Sequence, residues 1–444
     1  MKRVIIPIYC FLILLACSYG SFAQKPGKNP PREMKSDTLK DVTVVSKCRQ
    51  IIGYYPSWQM YKRGGLVTPM TFRYDKYTIL NYSFFQCDTL GNLFGTDFWA
   101  DSILLRGKYD WSTDPPSYIP NTNLIDWAHI YGVKVMVSIG GWTLSDNFPT
   151  VAADPKRRAH FAQECVRILK DYKFDGIDID WEYPGYAEHK GTPDDKVNFT
   201  LLMKAIRDSI DAYGDKIKYS FLLTGAFGAN ESTMENIEWD KIKDIMDYIN
   251  MMTYDFNGSW NEEANHNSPL YSPKSGGQGS LDLAFKLMTE KYDVPPHKLN
   301  MGVAYYGRTL LGKNKDERLD LFGTEHKAAP DSITFPEDIG QPQYFNILYK
   351  MNKFEKRWDS IAQVPYLIGK NKNTFVSYDD EESVRLKAEY VVNKGAAGVI
   401  IWDCTGDIVE TRPGSGRIKG TPLTDVLFDV LRPCKKKPIR KRYK

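Results

Sequence analysis

The sequence predicts an α/β fold, a closed (β/α)8 TIM barrel with a small α+β insertion between its seventh and eighth strands. Three observations predict it. About eight short apolar runs are spread along the chain, which is the number that a closed parallel barrel needs. Stretches of helical period separate them. Two of the connections are too long to be simple crossovers.

In order, the strand candidates are Ile51 to Tyr55, Tyr77 to Phe85, Val133 to Ile139, Phe174 to Glu182, Ile217 to Thr224, Tyr248 to Tyr254, Leu299 to Tyr305 and Ala397 to Trp402. Helices are predicted over Arg157 to Tyr172, Asp195 to Tyr213, Leu281 to Tyr292, Glu381 to Lys394 and Leu423 to Leu431. In the first of these, Phe161, Cys165, Ile168, Leu169 and Tyr172 share one face. The long connection over 86–120 is rich in Trp, Tyr and Phe, and the one over 308–378 carries a helical stretch near Gln341 to Lys353, enough for an inserted subdomain.

The barrel is expected over residues 48–433. Ahead of it, Lys2, Arg3, the apolar run Val4 to Ala16 and Ser21-Phe22-Ala23 read as an export signal cleaved after Ala23. An apolar run of this length is too short to span about 30 Å of hydrocarbon, so no transmembrane segment is expected and the protein is expected to be secreted or periplasmic. Leu14-Leu15-Ala16-Cys17 also resembles a lipobox, which would anchor the chain through Cys17 to a membrane surface. Residues 24–47 are polar and Pro-rich and read as a flexible lead-in. The tail over 434–444 is basic.

Of 444 residues, 42% are apolar and 26% charged, the balance of a globular chain with a large core. Nine of the 59 basic residues lie in the leader and the tail, which leaves 50 against 55 acidic ones between them. A slightly acidic body argues against nucleic acid as the partner. Five cysteines remain once Cys10 and Cys17 leave with the leader, and their spacing fits no metal pattern; no metal or cofactor is expected. Cys48 precedes the first strand and Cys434 follows the last helix. Barrel closure brings those ends together, so a Cys48–Cys434 disulfide is expected, with Cys165 a buried thiol. The chain is expected to be monomeric.

The chemistry concentrates in Asp175-Gly176-Ile177-Asp178-Ile179-Asp180-Trp181-Glu182. Strand side chains alternate, so Asp178, Asp180 and Glu182 face one way and Ile177, Ile179 and Trp181 the other. The apolar set suits packing under helices, which turns the carboxyls into the barrel. Crowded, buried carboxyls disfavour ionisation. Glu182, last in the row and at the C-terminal mouth, is therefore the candidate general acid.

This segment resembles the DxxDxDxE signature of glycoside hydrolase family 18, the chitinase family. Further likenesses follow in order: Ile52-Gly53-Tyr54-Tyr55-Pro56-Ser57-Trp58, Ser138-Ile139-Gly140-Gly141-Trp142, Met251-Met252-Thr253-Tyr254-Asp255, Tyr305-Tyr306-Gly307-Arg308 and Gly398-Val399-Ile400-Ile401-Trp402. The resemblance implies a chitinase that hydrolyses β-1,4-linked N-acetylglucosamine chains, with the substrate's own acetamide as nucleophile. It implies that Glu182 protonates the glycosidic oxygen, that Asp180 orients the acetamide, that Asp178 shares a proton with Asp180, and that Tyr254 bonds the acetamide oxygen. By the same resemblance Met252 and Asp255 line that subsite, Trp402 floors it, and Trp142 stands on the leaving-group side. Tyr54, Phe84 and Arg308 match positions near the cleft.

The insertion resembles the one that walls a deep cleft in some members. An endo-β-N-acetylglucosaminidase or a peptidoglycan hydrolase of the same fold remains an alternative, as does a chitin-binding lectin, although lectin-like members typically lack the terminal glutamate that is present here.

Overall fold

The structure, a computed structural model, describes residues 48–274, 279–313, 318–321, 329–371 and 373–433. The leader through Ala23, Cys17, the segment 24–47 and the tail 434–444 lie outside these residues. Eight parallel strands close into a barrel: β1 Gln50–Pro56, β2 Ile79–Cys87, β3 Lys134–Gly140, β4 Gly176–Asp180, β5 Leu222–Gly228, β6 Tyr248–Met252, β7 Leu299–Ala304 and β8 Gly398–Trp402. Each pairs with its neighbour in sequence, and β8 pairs back onto β1 with Ile51 against Val399 and Ile52 against Ile400.

The period-two pattern separates two cores. Ile51, Tyr55, Val135, Val137, Ile177 and Ile179 face outward into one large buried cluster, while Ile52, Tyr54, Met136, Tyr254 and Ile400 form another. The helices that cover the first are set by local signals. Pro155–Tyr172 opens on Asp154, whose carboxylate accepts from the Lys156 and Arg157 amides, with Pro155 in its first turn. It buries Phe161, Cys165, Ile168 and Leu169, each such apolar side chain being worth about 1.5–3 kcal/mol when fully buried.

One boundary differs from expectation. The helix that starts at Asp195 runs on to Ile217 and stops at Lys218, whose φ is +60°, so β5 starts at Leu222 rather than at Ile217. Ile217 is exposed at the helix end; an isolated apolar residue there mimics a strand start. The fourth strand is shorter than expected too, ending at Asp180 and leaving Glu182 just beyond it.

Between β7 and β8 lies the insertion, an antiparallel sheet in the order Arg308–Leu311, Thr374–Ser377, Val364–Gly369, Phe354–Asp359, with the helix Tyr344–Lys350. The barrel ends meet where the Arg49 amide donates to the Leu431 carbonyl at 2.9 Å and Arg432 donates to the Arg49 carbonyl at 3.1 Å. Cys48 is disulfide-bonded; Cys434, its expected partner, lies outside the described residues. Cys165 is buried and free, as expected. Among the described residues, no helix is long and apolar enough to cross a membrane.

Asp175, the first acid of the signature, immediately precedes β4 and is not in the carboxyl row. It accepts from Tyr219 Oη at 2.5 Å, from the Val135 amide at 2.7 Å, and meets His129 Nε2 at 2.8 Å. Burial alone would raise its pKa, but the His129, Tyr219 and Val135 hydrogen bonds outweigh it and the net shift is downward. The hydrogen bond to Asp175 raises that of His129.

The two signs define a window. The lowered Asp175 contributes stability above the ordinary Asp range of about 4 that is lost as pH falls through its folded value, and the raised His129 contributes below about 6.5 that is lost as pH rises through its folded value. Asp175→Ala is expected to cost about 3 kcal/mol because it strands buried donors, and His129→Gln less than about 1 kcal/mol, since that ring is partly exposed. Urea unfolding across pH checks this: the His129→Gln deficit should shrink as pH rises through the raised folded value of His129.

Candidate active site

The carboxyl row stands at the C-terminal mouth, as barrel chemistry requires. Trp181 is buried and stacked on Phe148 at 5.3 Å between ring centroids, with Phe199 at 5.9 Å, so the apolar face lies under the helices. Asp178 faces the interior and is saturated. Its carboxylate accepts from Tyr54 Oη at 2.9 Å, Ser138 Oγ at 2.9 Å, Thr224 Oγ1 at 2.5 Å and Asn250 Nδ2 at 3.2 Å. Burial raises its pKa and those four donors pull against the rise. Its oxygens are taken up by donors from β1, β3, β5 and β6, and its charge is one of those that raise the neighbouring Asp180.

Asp180 is the opposite case. It is buried, and its Oδ1 has no hydrogen-bond partner among the described residues. Burial, then the charges of Glu182 and Asp178, push its pKa well above the ordinary carboxylate range. Glu182 is pushed up to about 7, first by burial and then by the Asp255 charge, against the Tyr183 hydroxyl and the Trp142 amide. Its proton therefore persists to neutral pH, which suits a general acid.

The main chain around Glu182 is fixed by Ser145, a residue the sequence did not single out. The Glu182 amide donates to Ser145 Oγ at 2.9 Å, and Ser145 Oγ donates to the Gly141 carbonyl at 2.9 Å. Gly140 makes this approach possible: its φ is +113°, and a Cβ there would stand 2.2 Å from the Asp180 carbonyl.

Tyr254 lies two residues past the end of β6; burial first, then the charges around it, Asp180 foremost, raise its pKa. Met252 packs against the interior cluster. Asp255, at φ +59°, accepts from Tyr306 Oη at 2.6 Å and from Arg308 Nε at 2.8 Å, and its amide donates to Asn267 Oδ1 at 3.0 Å. Arg308, the first residue of the insertion sheet, also lies over the Trp260 ring at 4.9 Å. This ties the insertion to the segment that follows β6. Because the Asp255 charge helps to hold the Glu182 proton, Asp255→Asn is expected to lower the Glu182 pKa. The alkaline limb of kcat should move to lower pH, and activity should fall more at about pH 8 than at about pH 5; a pH–rate profile measures it.

The aromatic surfaces divide in two. Trp402 stacks on Phe84 at 5.7 Å and 18°, and meets Tyr54 at 5.8 Å and Trp58 at 6.2 Å. Trp142, 49% exposed, lies instead with Tyr183 and Tyr186. All the side chains predicted from sequence are thus gathered at or just below the mouth. Trp58 and Tyr306 lie inside quoted motifs but were not singled out, and Trp260, Ser145 and Asn267 carried no local signal.

A family model for glycosyl hydrolases family 18 matches residues 50–407. The chain belongs to that family. Within it, the chain is 33% identical over 410 residues to Chitinase A1 of Niallia circulans, covering 81% of this chain and 56% of that protein. It is 29% identical over 386 residues to Endochitinase 1 of Metarhizium robertsii, covering 83% of each. Among solved structures, Chitinase ChiA74 from Bacillus thuringiensis superposes with a TM-score of 0.74 at 29% identity, over 87% of this chain and 70% of that one. The chain therefore spans little more than half the length of the Niallia relative.

Proposed function

We propose that this family 18 protein is an exported, monomeric chitinase that hydrolyses β-1,4-linked N-acetylglucosamine chains, with Glu182 as general acid and the substrate acetamide as nucleophile. The observation that carries the reading is the unpartnered, buried Oδ1 of Asp180 beside a Glu182 whose pKa is pushed up to about 7. A buried acceptor without a donor is costly, and an acetamide N–H is the donor that this substrate brings. Tyr254 supplies a hydroxyl for the acetamide oxygen.

Relatives named as chitinases support the substrate class. A polymer is supported by the aromatic surface beyond Trp402 and Trp58: Tyr61 Oη donates to Asp97 at 3.1 Å, next to exposed Phe98 and Trp99. Mass spectrometry of products from chitin and from N-acetylglucosamine oligomers tests the reading. Soluble N-acetylated oligomers are the expected result; release of glycans from a glycoprotein with chitin untouched overturns it.

A further inference from the structure

We propose that His189 is a positioning residue for the leaving-group side, joining the main chain of Glu182 to the Trp142 indole; this rests on the reading of Glu182 as the acid. His189 ends the short turn Ala187–His189 that follows the carboxyl row. Its Nδ1 is 2.6 Å from the Glu182 carbonyl oxygen. A carbonyl only accepts, so Nδ1 carries a proton and donates it. With the Glu182 amide donating to Ser145 Oγ, the backbone of the acid is held on both sides.

The same ring packs at 4.5 Å and 60° against Trp142, and at 5.3 Å and 88° against Tyr186. Trp142 is half exposed, and an unsupported indole would lose rotamer freedom each time a sugar stacked on it. Trp142 also meets Tyr183 and Tyr186, and Lys190 pairs with Asp146 at 3.1 Å across the same loops with both side chains about half exposed or more; such exposed pairs contribute little. His189 is the side chain that touches both the Glu182 carbonyl and the Trp142 ring. A sugar that settles on Trp142 therefore bears on the ring that fixes the Glu182 carbonyl, which registers the leaving group against the acid.

The consequence depends on the leaving group. A sugar alcohol needs full protonation and the Trp142 platform, whereas an aryl group of low pKa departs with little help from an acid. The test is steady-state kinetics of wild type, His189→Ala, His189→Gln and His189→Phe on N-acetylglucosamine hexamer and on methylumbelliferyl diacetylchitobioside. For His189→Ala, kcat/KM on the hexamer is expected to fall about tenfold, within the roughly 10²-fold that a 1 Å misplacement can cost. The aryl substrate should change by less than about threefold.

His189→Gln, which keeps a donor, should recover kcat more than KM, and His189→Phe, which keeps a ring, KM more than kcat. Equal losses on both substrates in all three variants would mean a merely structural role and overturn the proposal, as would hexamer kinetics unchanged in His189→Ala. A wild type that cleaves neither substrate overturns the chitinase reading and this inference with it.

Discussion

Glu182→Gln is expected to lower turnover of N-acetylglucosamine oligomers by about 10²- to 10⁴-fold while leaving their binding in place, because it removes a general acid and little else. The amide matches the carboxyl in shape, and the hydrogen bond that anchors residue 182 to Ser145 is made by the backbone. What changes is the proton. Burial and the Asp255 charge hold it on Glu182 up to about pH 7, so wild-type kcat should fall as pH rises past about 7, and that limb should vanish in the variant. The predicted loss corresponds to about 3–5.5 kcal/mol of transition-state stabilisation. Isothermal titration with the hexamer gives binding and a reducing-end assay gives kcat; turnover close to wild type in a pure preparation would sink the assignment.

The row was legible in the sequence because strand geometry has a period of two, so Asp178 and Asp180 had to part from Ile177, Ile179 and Trp181. The barrel was legible for a related reason: each strand carries its own apolar run, and stretches of helical period separate the runs. What lay beyond reach was set by partners distant in sequence. Asp178 is satisfied by Tyr54, Ser138, Thr224 and Asn250, on four strands. No local pattern announces that its oxygens are filled and those of Asp180 are not. Asp175 was legible only as part of a signature, and its partners His129 and Tyr219 show that it braces the barrel elsewhere. Ile217 misled because an apolar residue at a helix end looks like the first residue of a strand.

Asp180→Asn is expected to reduce kcat by about 10²- to 10³-fold, the range for losing one preorganised electrostatic partner of the transition state. Of the carboxylates at the mouth, only some have an oxygen left free. Asp178 is occupied by four donors, and Asp255 is held by Arg308 and Tyr306. That leaves Asp180, two residues from the acid, with an oxygen free to take the acetamide N–H. On the proposed mechanism, a group so placed turns the acetamide oxygen toward the anomeric carbon and holds the acetamide N–H as the oxazolinium ring closes. Water then opens that ring from the face the leaving group left, so the configuration is retained. NMR of the first-formed product should show the β anomer before mutarotation, and a thiazoline mimic of the ring should inhibit competitively. A chain de-acetylated at the reacting sugar should bind but resist cleavage. Either the α anomer appearing first or equal cleavage beside a free amine would exclude the acetamide as nucleophile: the former would require a carboxylate acting as general base on water, the latter with retention a carboxylate nucleophile.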